Sequence, residues 1–152
     1  MSSIFENDDD KKDIIIAIRG TINKYETAKD FNAIYTKFKN YNGKFKVKYG
    51  FAEAGFYTMY KKIRPNIIEY VKQCDGCNIT IAGHSLGFAI AALAGYDAMM
   101  MADDMNMNNV INIYAYAPPK IGDNILMNNF NKVLKSNTKG HAMFIINKSG
   151  HC

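Results

Sequence analysis

Ile79-Thr80-Ile81-Ala82-Gly83-His84-Ser85-Leu86-Gly87-Phe88 is the stretch on which the fold of this chain turns. A short apolar run enters the pattern G-x-S-x-G, and the small-residue segment from Phe88 to Met101 follows with the composition of a buried helix. In a strand, sharp turn and helix of this order, the serine is held in a strained backbone conformation with its hydroxyl above the sheet edge. Ser85 is therefore a candidate nucleophile for acyl transfer, with Gly83, His84 and Gly87 shaping the elbow around it. A glycine-flanked serine ahead of a helix is also a common N-cap, so the rest of the chain has to decide between the two.

Outward from the elbow, strand-like and helix-like segments alternate. Ile14 to Ile18 is a continuous apolar run of the kind buried on both faces of a sheet. Tyr25, Ala28, Phe31, Tyr35 and Phe38 recur at three- and four-residue intervals, which predicts a helix from Tyr25 to Phe38. Phe45 to Tyr49 reads as a short strand after the Asn42-Gly43 turn, and Phe51 to Val71 as a helix that Pro65 bends or splits. Asn109 to Tyr116 and Ala142 to Ile146 read as further strands, with a helix over Asn124 to Val133 between them. Strands separated by helices imply parallel pairing, a sheet with helices on both faces, and an active site at the carboxyl ends of the strands.

The length of 152 residues suits one domain, and a hydrophobic content of 48% supplies a core, which excludes a disordered polypeptide. Residues 1–12 read as a polar tail, and no apolar stretch approaches the ~20 residues of a membrane span. With neither a signal peptide nor a transmembrane helix expected, an intracellular setting is favoured. Cys74, Cys77 and Cys152 are too few, and odd in number, for a disulfide scaffold, which points to a reducing compartment. Cys74 and Cys77 have C-x-x-C spacing, and His151-Cys152 completes a zinc set on paper. No second close-spaced ligand pair supports it, so a turn ahead of a strand is the plainer reading and no metal is expected.

The net charge of +5 is concentrated locally. Lys37, Lys39, Lys44, Lys46, Lys48, Lys61, Lys62 and Arg64 are interleaved with Tyr35, Phe38, Tyr41, Phe45 and Tyr49. Such a segment either meets an anionic lipid surface or a nucleic acid, or is a solvated face with its aromatics turned inward. No nucleic-acid motif accompanies it, and nucleic acid is not an expected partner.

Four motifs in order now share one pattern: Arg19-Gly20-Thr21 after the first strand, Gly50-Phe51, the elbow itself, and Ala117-Pro118-Pro119-Lys120-Ile121-Gly122-Asp123. Together they resemble the class 3 (fungal-type) lipase family of α/β-hydrolases, whose motifs run roughly as F-R-G-T/S, H-x-G-F, G-H-S-L-G-G and G-x-P-R-V-G-N/D. The resemblance covers about Asp13 to Asn147. It implies a truncated α/β-hydrolase core, residues 13–152, incomplete at both ends relative to the family. The fold expected is a mostly parallel sheet of about five strands flanked by helices, with the nucleophile elbow after the central strand. The implied function is a carboxylic ester hydrolase acting on acylglycerols or related lipid esters at a membrane or lipid-droplet surface. It would work through a Ser85 acyl-enzyme and need no cofactor.

Position by position, the resemblance implies an oxyanion hole formed by the backbone N–H groups of Leu86 and Thr21. It also implies a structural ion pair between Arg19 and Asp30, and a lid in the region of the helix predicted over Tyr25 to Phe38. The chain departs from the family pattern at Phe88, which replaces a glycine, at Lys48, which replaces a histidine, and at Gly150, which occupies the position of the catalytic acid. The family histidine comes from a segment beyond the last residue of this sequence. Asp123 and His151 are the candidates for acid and base, while His141 precedes the last strand, at the wrong sheet edge. The alternative function is a catalytically silent module that binds a lipid surface or a protein partner.

Overall fold

The computed structural model describes residues 3–4, 12–20, 34–116, 121–136 and 142–145. In chain order these form β1 (Ser3–Ile4), β2 (Asp13–Ile18), β3 (Tyr35–Lys37), β4 (Phe51–Glu53), α1 (Ala54–Gln73), β5 (Asn78–His84), α2 (Leu86–Asp104), β6 (Val110–Tyr116), α3 (Asn124–Ser136) and β7 (Ala142–Ile145). The main sheet has the order β1-β2-β5-β6-β7, with β5 at its centre. Pairing is parallel except at the edge, where Ser3 and Ile4 of the polar N-terminal segment pair antiparallel with Ile15 and Ile14. The α/β sheet expected from the sequence is present, and the elbow follows its central strand.

Register explains how the sheet is covered. Ile14, Ile79 and Ile111 stand side by side, as do Ile16, Ile81 and Ile113. Side chains alternate across a strand, so all of these isoleucines share one face, and all are buried. α2 lies across that face, and α1 and α3 pack against α2 in turn. The opposite face is more open, with Ile15 37% and Tyr114 45% exposed. The expectation of helices on both faces is thus corrected for the described residues: the run Ile14 to Ile18 buries alternate residues, not all of them.

Every residue of α2 from Gly87 to Ala102 is buried. A helix that is apolar all round belongs in a core or a membrane. α2 is long and apolar enough to cross a membrane, but 83% of the relevant window is buried inside the protein. Gly95 lets it approach β6 closely, since a Cβ there would sit 2.2 Å from Ile113 Cδ1.

One acid interrupts this apolar helix. Asp97 is 1% exposed, and its Oδ2 accepts from the Tyr60 hydroxyl at 2.6 Å and lies 3.0 Å from Arg64 Nε. The Arg64 Nη2 donates to Lys39 O at 2.6 Å, and the guanidinium lies over the rings of Tyr60, Tyr57 and Phe38. These contacts fasten α1 and the segment before Tyr41 to the core helix. The ion pair expected between Arg19 and Asp30 has its acid outside the described residues.

Burial pushes the Asp97 carboxyl up to about 6, against the opposing pull of Arg64 and the Tyr60 hydroxyl. A folded-state value above the unfolded 3.8 means that the native state holds the proton more tightly. The Asp97 contribution to stability is therefore full below about pH 4 and is lost as pH rises through about 6, a swing of roughly 3 kcal/mol across that window. A carboxyl-carbon NMR titration is expected to show an Asp97 midpoint near 6; a midpoint at or below 4 would overturn this.

Three local expectations are corrected. The described end of the predicted Tyr25–Phe38 helix is a strand: β3 pairs antiparallel with β4, and bonds from Phe38 N–H to Gly50 O and from Ala54 N–H to Ile34 O extend the ladder. An odd separation in a strand puts Tyr35 and Phe38 on opposite faces, and Tyr35 is exposed whereas Phe38 is fully buried. The remainder of that helix, and the lid assigned to it, lie outside the described residues. Phe45 to Tyr49 forms no strand; Val47–Tyr49 is a 3-10 turn with Val47 75% exposed, closed by the N–H of Gly50 donating to Val47 O. The helix predicted from Phe51 starts at Ala54 instead, because Glu53 caps it by accepting from Phe56 N–H at 2.8 Å. Pro65 does not split it: Pro65, Lys61 and Lys62 all face solvent, where a carbonyl released by proline is hydrated.

Cys74 and Cys77 are joined by a disulfide across the turn between α1 and β5. The turn expected from the sequence is there, and the disulfide across it is a feature that the sequence reading did not anticipate.

Candidate active site

Ser85 stands between β5 and α2 with φ 55° and ψ −118°, one of two non-glycine residues with positive φ among those described. L-residues avoid this region because Cβ crowds the backbone, and such strain persists where the surroundings over-determine it. The surroundings are glycines. A Cβ at Gly83 would lie 2.1 Å from Gly87 O, so strand and helix pack backbone to backbone on either side of the serine. A Cβ at Gly87 would lie 2.3 Å from Ile18 O, so the end of β2 presses against the first turn of α2. Both Ser85 and His84 are exposed.

A methyl group at either position must push backbone away. Gly87→Ala is expected to cost about 1–3 kcal/mol and to move the end of β2 off the elbow. Thermal unfolding together with serine-probe labelling checks this: a variant with wild-type stability and labelling would show that the close approach is unimportant.

Leu86 opens α2, where first-turn amides have no partner within the helix and the dipole favours negative charge. Gly20 sits beside it, its Cβ position 3.7 Å from Leu86 N. Thr21, the next residue and the other expected oxyanion donor, lies outside the described residues, as do His141, Gly150 and His151. Phe88, the departure behind the elbow, is 4% exposed and forms part of the core.

Asp123, the candidate acid, lies at the amino end of α3. Its Oδ1 accepts from Leu126 N–H at 2.8 Å, capping α3, and from Phe51 N–H at 3.1 Å. Its own N–H donates to Phe51 O, and Glu53 N–H donates to Ile121 O, so residues 121–123 lie along β4. Gly50 is pressed into this corner with φ 74°. The motifs Gly50-Phe51 and Gly122-Asp123 thus meet in space as a structural joint. Asp three residues ahead of Leu126 is an N-cap signature that sequence reading had available.

The basic segment turns its lysines outward but only some of its aromatics inward, Tyr35 being exposed and Tyr41 and Phe45 half-buried. Phe38 and Tyr49 are buried, while Lys37, Lys39, Lys44, Lys46 and Lys48 are exposed. Lys37 Nζ lies over the Phe45 ring and Lys46 Nζ over the Tyr49 ring. A cleft of about 640 Å³ lined by Lys46, Lys132, Tyr96, Met99 and Asp103 sits beside the carboxyl-terminal half of α2. It begins ~16 Å along the helix from Ser85 and is separate from the elbow. No group of three or more metal-ligating side chains occurs among the described residues.

A mostly parallel sheet whose central strand turns through a glycine-packed serine into a buried helix defines an α/β-hydrolase type of protein. The family described as Lipase (class 3) matches residues 15–149, and the chain belongs to that family. It is similar to the secreted mono- and diacylglycerol lipase LIP4 of Malassezia restricta, 30% identical over 98 residues that cover 62% of this chain and 30% of that protein. It is also similar to the secreted mono- and diacylglycerol lipase A of Penicillium camembertii, 34% identical over 76 residues, 47% of this chain and 23% of that protein. A match to the chloroplastic phospholipase A1-Ialpha2 of Arabidopsis thaliana is 23% identical over 135 residues, 74% of this chain and 27% of that protein. The chain spans less than a third of the length of these relatives.

Proposed function

We propose that this domain is a serine carboxylic ester hydrolase acting on acylglycerols or related lipid esters. The observation that carries the reading is the backbone of Ser85, held at φ 55° by glycine contacts that leave its side chain exposed at the carboxyl edge of the sheet. A plain N-cap serves with extended backbone and accepts from an amide two or three residues on; Ser85 has neither the conformation nor a side-chain capping bond. The names of the family relatives supply the substrate class.

In this mechanism Ser85 Oγ attacks the ester carbonyl and the Leu86 and Thr21 N–H groups hold the developing oxyanion. A histidine takes the hydroxyl proton and returns it to the leaving alcohol, oriented by a carboxylate. With its Oδ1 committed to capping α3, Asp123 is a structural residue in this reading, and the acid and base fall outside the described residues. The chemistry needs no cofactor. The exposed lysines from Lys37 to Lys48, with Val47 projecting among them, favour an anionic lipid surface as the place of work.

Fluorophosphonate labelling of the chain, read by intact mass and peptide mapping, tests the proposal. Labelling confined to Ser85 is expected. A folded chain that takes no label sinks the hydrolase reading and leaves the silent module, for which salt-sensitive binding to anionic vesicles without turnover is the signature.

A further inference from the structure

The C-x-x-C turn lies at the opposite end of β5 from Ser85, and the ester chemistry does not use it. Cys74 caps the carboxyl end of α1, Cys77 immediately precedes β5, and Gly76 between them has φ 82°. The two Cα atoms are 5.6 Å apart, inside the range a disulfide spans, and the sulfurs are bonded. Cys77 is 1% exposed and Cys74 is half-buried.

Hydrogen bonds hold this turn independently of the sulfurs. Cys77 N–H donates to Asn109 Oδ1 at 3.1 Å, Asn109 Nδ2 donates to Val71 O at 3.1 Å, and Asn108 N–H donates to Asp75 Oδ1 at 2.7 Å. Val110 N–H completes the frame by donating to Cys77 O at 2.9 Å. The loop closed by the disulfide is very short, so the constraint it places on the unfolded chain is small. Oxidised and reduced chains therefore share one turn.

We propose that Cys74 and Cys77 form a reversible dithiol–disulfide site that exchanges with low-molecular-weight thiols through Cys74. An incoming thiolate meets the half-buried Cys74 Sγ first; the Sγ–Sγ bond breaks and its electron pair leaves on Cys77 as thiolate. A second small thiol then attacks its own kind in the mixed disulfide, releasing Cys74. The balance is one protein disulfide plus two small thiols giving one protein dithiol plus one small disulfide, with two electrons and two protons passing to the protein. Oxidation by a small disulfide runs the same steps in reverse. Asp75 and the carboxyl end of α1 both disfavour a thiolate here. The pair is thereby biased toward the oxidised form and exchanges slowly, unlike a C-x-x-C at a helix N-terminus.

The test equilibrates the full chain in mixtures of reduced and oxidised glutathione, quenches with iodoacetamide, and maps the alkylated cysteines by peptide mass. Cys74 and Cys77 are expected to be protected together in excess oxidised glutathione and alkylated together in excess reduced glutathione, with unchanged circular dichroism. The Cys77→Ser variant is expected to trap one glutathione on Cys74. Alkylation of both cysteines in a large excess of oxidised glutathione would overturn the proposal, as would a bond that survives a large excess of reduced glutathione in the folded chain. The wild-type titration decides the matter even if the variant fails to fold.

Discussion

Replacing Ser85 by alanine is expected to abolish labelling and to lower kcat/KM for a short-chain acylglycerol by about 10⁴-fold or more, the scale of losing a catalytic nucleophile. Stability should barely move, because alanine at φ 55° carries the same Cβ strain as serine. Glycine at the same position separates the two roles. Ser85→Gly removes the Cβ from a positive-φ backbone and is expected to stabilise the fold by about 1 kcal/mol while being equally inactive. Thermal unfolding alongside ester hydrolysis reads both effects at once. Retained turnover in Ser85→Ala would eliminate this serine as nucleophile. A Ser85→Gly chain less stable than wild type would show that the elbow is unstrained and that the serine serves the fold.

The second large effect is expected from Asp97. Its removal leaves the Arg64 guanidinium facing the core without a counter-ion, and a buried charge deprived of its partner costs about 3–5 kcal/mol. Asp97→Ala should lower Tm by roughly 10 °C or more in a domain of this size. Removing both charges is predicted to be far milder: Arg64→Met with Asp97→Leu offers apolar groups that the surrounding Phe38, Tyr57 and Tyr60 rings accept. Denaturant unfolding of the two single variants and the double variant measures the coupling. A loss under about 1 kcal/mol in Asp97→Ala would mean that water or another group already satisfies Arg64, and the claim would fail.

Much of the fold was legible because its signals are local. The runs around Ile16, Ile81 and Ile113 and the small-residue segment after Ser85 name the parallel strands and the core helix from composition alone. The glycines at 83 and 87 announce the close packing that the structure then shows. What sequence reading missed depends on partners distant along the chain. Tyr35 and Phe38 share a helical interval by coincidence, and β4, a strand hidden at the head of an apparent helix, decides their conformation. Asp97 inside an otherwise apolar helix was a visible anomaly, but its partner Arg64 sits on another helix and looked like one more member of a basic cluster. Asp123 was read only as a candidate acid; the cap it gives α3 through Leu126 had a local signature, but its bond to Phe51, 72 residues away, is one that no local pattern announces. At the candidate site, Ser85 and Leu86 could be read from one contiguous motif, whereas the base and acid that the proposed chemistry calls for are groups from separated segments, which no motif around Ser85 can mark.

The surface of α2, apolar from Gly87 to Ala102 but for the single acid Asp97, also has a meaning for biosynthesis. As the chain leaves the ribosome, β2, α1 and β5 have already emerged and offer α2 part of its cover, while β6 and α3 are still to come. For that interval the helix shows the rest of its apolar surface to the cytosol or the translocation machinery with no polar stripe to protect it. Nascent chains stalled when Asp104 has just cleared the ribosomal exit tunnel should accordingly be the ones that chaperones hold and that precipitate when released, and chains in which Ser136 has cleared it should escape both fates.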